Sequence, residues 1–512
     1  MPDGNQQKPQ GMADNPNPLF DRAFTALSWR TASTVSTIVV QSAILVLLAR
    51  LLGPEAFGLL GQAMIFVGFA RILSEIGMAG SIVQRRDLSE SHLRTAFTLS
   101  AVGGALLSFV VWMSADVLAA FFGEPKLAPL LRVLSVSFFV TNVGSTRSGF
   151  LQRQMDFRRR YWVNVTAYIA GYAPVGVTLA FLGFGVWALV YATLAETCLT
   201  TTLLFVFTKY PWKPGFSMRE ARDLFGFGAG MSMNKIVGYA TRNTDLFVIG
   251  RWMGAADLGF YSRGASLIKG AVTASTILID VLFPAYSEIQ DDAKRLRTAF
   301  LRSVSVAALI AYPLLAGMFS AAPELIRGVF GPQWTSSITV LQIQCVSAMF
   351  MCVTSISEVV VRAKGAVFAL SFRRLIFSIA LFAGAYFGTQ WGINGVAVGV
   401  LLALLLWYVL VSQLTLRVIE GTWRELTEAQ LPGLILGAVV AAVAHGVAVL
   451  LRSSGYPDLV ILAGVIVGCG ATVIAMVFLI PGSRLSAGPL WARKKLKIVL
   501  AQRFPIFERL AD

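Results

Sequence analysis

The chain has 512 residues, of which 56% are hydrophobic and only 14% charged. Soluble domains carry about a quarter charged residues, so a water-dissolved globular enzyme is excluded and most of this chain must lie in lipid. The formal net charge of +16 at pH 7 leaves a nucleic-acid binder or a membrane protein with basic loops, and the placement of the basic residues decides between them.

Residues 1–30 are polar and rich in Pro, Asn and Gln, with no basic region feeding a short apolar core. They predict a disordered cytoplasmic tail and not a signal peptide. From residue 31 onward, apolar stretches long enough to cross a hydrocarbon core about 30 Å thick recur. Fourteen spans are expected, giving an all-α integral membrane protein. The first six are 31–50, 57–80, 95–121, 128–151, 161–182 and 186–208, making an N-lobe of residues 31–208. After a cytoplasmic linker at 209–222, a C-lobe of residues 223–416 holds 223–249, 257–283, 298–321, 335–361, 367–388 and 392–416. Spans 429–450 and 458–481 follow, then a basic cytoplasmic tail at 482–512. Pro174 and Pro313 fall inside spans, where lipid-embedded helices tolerate them as kinks. Cys198, Cys345, Cys352 and Cys469 also lie in spans, without metal-ligand spacing, and read as packing thiols. Neither a metal nor a cofactor is expected.

The basic residues alternate along this topology. One set comprises Lys8, Arg22 and Arg30, then Arg85, Arg86 and Arg94, then Arg153 with Arg158–Arg160, and later clusters at Lys209–Arg222, Lys294–Arg302, Arg362–Arg374, Arg417 with Arg424, and the tail from Arg484. The intervening turns carry only Arg50, Lys126, Arg251, Arg327 and Arg452. The positive-inside rule makes the richer side cytoplasmic and puts both termini there, as an even number of spans requires. The basic loops therefore read as orientation and headgroup signals, with no nucleic acid as partner. The tail Trp491–Leu510 mixes basic and apolar residues; it is either an interfacial helix on the membrane or a solvated segment.

Ala49–Leu60 reads ARLLGPEAFGLL. Its glycine spacing hints at a phosphate-binding loop, but Leu59 and Leu60 stand where that motif needs Lys and then Ser or Thr. The stretch recurs as GRWMGAADLGFY at Gly250–Tyr261, an offset of 201 that pairs Arg50 with Arg251, Gly53 with Gly254 and Gly58 with Gly259. LRTAF occurs at Leu93–Phe97 and again at Leu296–Phe300, and Phe122-Gly123 matches Phe330-Gly331. A repeat of six spans implies two pseudo-symmetric six-helix lobes of the same orientation, related by an axis along the membrane normal, with a cleft between them. The glycines are expected to permit a tight outer turn, and Arg50 to anchor at the headgroups.

Seven basic residues fall within the spans: Arg71, Arg132, Arg147, Lys235, Arg242, Arg263 and Lys269. The acids there are Glu75, Glu196, Asp245 and Asp280. Each charge at the bilayer centre costs about 2.5–3.5 kcal/mol on insertion scales, so these side chains should face water or one another. Helical spacing allows local pairs, Arg71 with Glu75 and Arg242 with Asp245, while Arg132 near a span exit is expected to snorkel. The alternative is a cationic cavity of Arg71, Arg147, Lys235, Arg242, Arg263 and Lys269, suited to phosphate or pyrophosphate. Glu75, Glu196, Asp245 and Asp280 are then candidate ion-coupling sites.

Residues 49–88, ARLLGPEAFGLLGQAMIFVGFARILSEIGMAGSIVQRRDL, with GRWMGAADLGFYSRG and the later FGPQW at Phe330–Trp334, resemble the Wzx-like polysaccharide-transport branch of the multidrug/oligosaccharidyl-lipid/polysaccharide exporter superfamily. The resemblance implies a fourteen-helix inner-membrane flippase that carries an undecaprenyl-pyrophosphate-linked oligosaccharide from the cytoplasmic to the periplasmic leaflet by alternating access. It implies a cationic lumen, matched here by Arg71, Lys235, Arg242, Arg263 and Lys269. It also implies service to exopolysaccharide, capsule or O-antigen synthesis, alongside a polysaccharide polymerase and co-polymerase. Spans 13 and 14, outside the repeat, are expected to form a groove for the lipid tail. The rival readings are a cation-coupled drug exporter of the same superfamily and a non-transporting component of a polysaccharide assembly complex; the excess of bases over acids in the spans weighs against the exporter. With only His92 and His445, and no nucleophile or paired-carboxylate constellation in a soluble loop, enzyme activity is not expected.

Overall fold

The computed structural model describes residues 36–37, 39–74, 80, 82, 88–208, 214–222 and 236–479, and all regular secondary structure among them is helical. In chain order these are α1 (Val39–Leu51), α2 (Pro54–Ser74), α3 (Glu90–Phe122), α4 (Leu127–Arg153), α5 (Phe157–Phe181) and α6 (Val186–Phe207). Then come α7 (Thr244–Trp252, preceded by a helical segment at 236–242), α8 (Ala255–Glu288), α9 (Ala293–Ser320), α10 (Ser337–Ala363), α11 (Val367–Gly388) and α12 (Gly392–Val418). The last two are α13 (Trp423–Ser453) and α14 (Asp458–Leu479). Against the expected fourteen spans, ten segments among the described residues are long and apolar enough to cross a membrane, one of them Val367–Val418, which folds as α11 and α12; α1 is shorter.

Several helices outrun their apolar stretches because polar residues cap them beyond it. Ser89 accepts the His92 N–H and starts α3 at Glu90, so LRTAF lies in its first turns. Asp292 does the same for α9 by accepting the Arg295 N–H, and a Thr422–Glu425 capping box starts α13. Such caps satisfy N–H groups that have no partner inside the helix. The linker docks on α3: the Gly215 and Ser217 N–H groups donate to Thr98 and Thr95 at 3.1 and 3.2 Å, and Ser91 donates to Glu220 at 2.6 Å. In α5 a π-turn at Tyr168–Tyr172 ends two residues before Pro174, absorbing the hydrogen bond that proline cannot give.

The two copies of the repeated motif meet. Starting at their N-termini, α2 and α8 pack so closely that a Cβ on Gly58 would overlap the Ala255 carbonyl, and one on Gly259 would overlap the Pro54 carbonyl. Pro54 and Ala255 are themselves related by the 201 offset, so the contact is reciprocal, as across a two-fold axis. Only glycine lets two backbones approach in this way.

Arg50, expected at the headgroups, is exposed and reaches across the molecule. Its Nε donates to the Val329 carbonyl at 2.8 Å and its Nη2 to that of Gly328, both near the end of a π-turn, Leu325–Phe330, that follows α9. Trp334, fully buried, donates its indole N–H to the Ala49 carbonyl at 2.9 Å, and Gln333 adds a bond to the same oxygen at 3.2 Å. The physical reason is that helix ends and π-turns leave carbonyls without partners, and these donors satisfy them across the molecule. Arg251, the counterpart of Arg50, lies over Phe121 at 5.1 Å, the residue matching Val329 in the second repeat. Around this clasp, Leu48, Leu52, Phe57, Tyr168 and Tyr172 share one buried core with Ile326, Phe330, Trp334 and Leu341.

Candidate functional site

Beyond the glycine contact, α2 and the second half are joined by Tyr239, whose hydroxyl reaches the Met64 and Ile65 carbonyls at 3.2 and 3.0 Å. Arg71 lies in the last turn of α2 and Arg242 at the end of the 236–242 segment; both side chains are exposed. Both guanidiniums act electrostatically on the Tyr239 hydroxyl. Two cations that lie 171 residues apart in sequence are thus both within electrostatic range of one tyrosine.

Arg263 lies two turns into α8, with its Cζ 4.7 Å from the Phe57 ring centroid of α2. Its Nε and Nη1 are buried without a hydrogen-bond partner among the described residues. It is within electrostatic reach of Tyr168 and Tyr172, which stack in parallel on the α5 π-turn with ring centroids 4.7 Å apart. Glu196 of α6 acts on the same two tyrosines, yet no ion pair joins it to Arg263 among the described residues. A guanidinium in such a place is expensive without an acceptor, and an anionic ligand would supply one.

Other expected site residues fall elsewhere. Arg147 is 1% exposed, held between α3, α4 and α6 with its guanidinium 3.3 Å from the Phe205 ring centroid and 5.2 Å from that of Phe97. This corrects its assignment to the shared cavity, because the aromatic faces supply the negative potential that a lumenal ligand was expected to supply. Arg147→Met is accordingly expected to change stability by no more than about 2 kcal/mol and to leave transport per folded molecule unchanged, measured by thermal unfolding and by a flipping assay on the purified protein.

Asp245 does not pair with Arg242. It accepts from the Tyr261 hydroxyl at 2.9 Å and from the Leu246 N–H at 2.9 Å. The helix is interrupted at Asn243, which breaks the face shared by positions 242 and 245, and the new N-terminus attracts the carboxylate. Arg132 is ion-paired to Asp116 at 2.5 Å and lies over Trp112, so its contacts are with α3 as well as with the span exit. Lys235 and Glu75 lie outside the described residues. Lys269 and Asp280 fall on α8, with their side chains outside the described residues.

A groove of about 1000 Å³ runs between α9, α13 and α14. Ile310, Leu314, Leu431, Ile435 and Ile466 line it with exposed side chains, together with Pro313 and Pro432. Phe57, Tyr168, Tyr172 and Tyr239 were not legible as site residues, since neutral aromatics are unremarked in an apolar span. The signal available was a tyrosine pair at i, i+4 just before a proline.

Residues 47–339 match the model of a family described as polysaccharide biosynthesis protein. The chain is 29% identical over 389 residues to the lipopolysaccharide biosynthesis protein WzxC of Escherichia coli K12, covering 75% of this chain and 79% of that protein. It is 26% identical over 325 residues to the succinoglycan biosynthesis transport protein ExoT of Rhizobium meliloti, covering 63% and 65% of the two chains. Among solved structures it is similar to the lipid II flippase MurJ in an inward closed conformation, with a TM-score of 0.69, 14% identity, and coverage of 88% of this chain and 98% of that one. The structural likeness establishes a shared fold.

Proposed function

The chain belongs to the polysaccharide biosynthesis protein family, and from that membership we propose that it flips a lipid-linked oligosaccharide across the bacterial inner membrane for surface-polysaccharide synthesis. The observation that carries this reading is Arg263, which lies over Phe57 where α2 and α8 pack and whose Nε and Nη1 are buried without an acceptor among the described residues, with Arg71 and Arg242 further along α2 near Tyr239. Guanidinium groups match phosphate oxygens in charge and geometry, and a pyrophosphate linkage presents several such oxygens. Relatives named for lipopolysaccharide biosynthesis and for succinoglycan transport support a carbohydrate cargo.

In this reading the chain is an N-lobe, a C-lobe and two further helices, fourteen spans in all, with both termini cytoplasmic as the basic loops direct. The clasp of Arg50, Trp334 and the paired glycines closes the outer side. Substrate enters from the cytoplasmic leaflet, its pyrophosphate meets the arginines in turn, with Lys235 and Lys269 as further cations, and the lobes rock to release it outward. The apolar groove of α9, α13 and α14 accommodates the lipid tail, so that only the head crosses. Glu75, Glu196, Asp245 and Asp280 are the groups available for coupling to an ion gradient. A polymerase and co-polymerase would take the product.

Deleting the gene tests this directly: the lipid-linked repeat unit should accumulate on the cytoplasmic leaflet while surface polymer falls, and undiminished polymer with no accumulated intermediate would sink the proposal. The groove is tested separately. Ile466→Trp fills it without adding charge, and is expected to lower flipping of long-chain substrates more than that of short-chain ones in proteoliposomes.

A further inference from the structure

Gln62 and Arg263 occupy equivalent positions, 201 residues apart, in the two copies of the repeat, as do Ala49 and Gly250. Gln62 is fully buried and donates its amide to the Gly250 carbonyl at 2.9 Å. By symmetry position 263 would serve Ala49, but the Trp334 indole already donates to that carbonyl at 2.9 Å. Position 263 is thereby released from a structural duty, and the chain places there a guanidinium with two nitrogens lacking acceptors. Between the two departures from symmetry stands one ring. Phe57 lies under Arg263 at 4.7 Å and meets Trp334 edge-on at 5.6 Å, and Phe260 meets the same indole at 6.1 Å.

We propose that Phe57 is a relay that couples ligand charge at Arg263 to the outer clasp. With no anion present, the Phe57 face is the counter-charge for Arg263, and the same ring buttresses the indole that holds Ala49. An anionic phosphoryl group is a far better partner for a guanidinium than an aromatic face. Its arrival draws Arg263 from Phe57, frees the ring to turn, and removes the support that keeps Trp334 on Ala49. Because a ligand shifts a two-state equilibrium only through contacts that differ between the states, the exchange of partners at Arg263 gives opening a cause. The proposal rests on the reading above that the ligand carries a phosphoryl group.

The test uses full-length protein in nanodiscs, with farnesyl diphosphate as the probe and phosphatidylglycerol as the competing source of phosphoryl groups. Binding is read by thermal shift and the clasp by hydrogen exchange over residues 47–60 and 325–336. In the unmodified protein, farnesyl diphosphate should raise exchange in both segments. Arg263→Gln, the residue of the equivalent position, should weaken binding about tenfold or more and abolish the rise, with Arg263→Lys retaining part of both. Phe57→Leu should bind the probe but, lacking the buttress, start from raised exchange and show no further rise, and Trp334→Phe should likewise show raised exchange without any ligand. A ligand-induced rise that persists in Phe57→Leu, or equal binding by Arg263→Gln, overturns the relay and leaves flipping intact. Phosphatidylglycerol acting as well as the diphosphate overturns it as a substrate response. Failure of the unmodified protein to bind farnesyl diphosphate overturns the relay together with the phosphoryl reading of the substrate.

Discussion

Arg71→Gln combined with Arg242→Gln is expected to abolish transport while the protein still inserts and folds. Both side chains are exposed, so their removal leaves no cavity. They come from different helices and lie within electrostatic range of Tyr239, whose bonds to the Met64 and Ile65 carbonyls do not depend on either arginine. A hydrogen bond to a charged group contributes about 1.5–3 kcal/mol, so losing two phosphate contacts should weaken binding by roughly 100-fold or more. The single variants should each lose less than the pair. The lysine double variant should recover part of the activity, since it keeps the charge and loses the planar fork. Complementation of a deletion strain and flipping in proteoliposomes measure the effect. Polymer at normal levels from the double glutamine variant would remove these residues from the site.

Gly58→Ala and Gly259→Ala should each damage the protein, and in the same way. The added carbon would fall on a backbone carbonyl of the opposite helix, Ala255 in one case and Pro54 in the other. A carbonyl on a helix cannot turn aside as a side chain can, so α2 and α8 must separate. Overpacking of this kind costs about 1–3 kcal/mol, occasionally more, and the cost falls only on states in which the two helices touch. The expected result is a protein that inserts normally, shows raised hydrogen exchange at the clasp without ligand, and transports poorly because it cannot close outward. Gly53→Ala is the control, since nothing lies within 4 Å of a Cβ there. If the two glycine variants close normally, the reciprocal contact does not govern the closure.

The repeat was legible in the sequence, but its purpose was not. The spacing of ARLLGPEAFGLL and its twin suggested tight turns, which the first glycines make, with Gly254 at φ 99, but the structure also uses the second glycines as mutual contacts and Arg50 as a donor to carbonyls nearly 280 residues away. Arg147 and Arg263 looked alike as cations inside spans. Arg147 is packed against two rings, Phe97 and Phe205, on helices of the first repeat, whereas Arg263 lies over the single ring of Phe57 where α2 and α8 of the two repeats meet and has two buried nitrogens without acceptors among the described residues. Spacing along a helix suggested an Arg242–Asp245 pair that a break at Asn243 undoes, giving Asp245 to Tyr261 instead.

What the sequence by itself determined was the membrane class, the order of the helices, the internal repeat and the excess of cations in the spans. Hydropathy and charge are sums over neighbouring residues, and a short chain segment carries them whole. What only the tertiary structure decided was which way each side chain faces and what it meets across the molecule: the glycine contact, the Trp334 clasp, the aromatic burial of Arg147 and the open donors of Arg263. Those depend on helix rotation and on contacts between residues hundreds of positions apart, which packing sets and local composition does not encode.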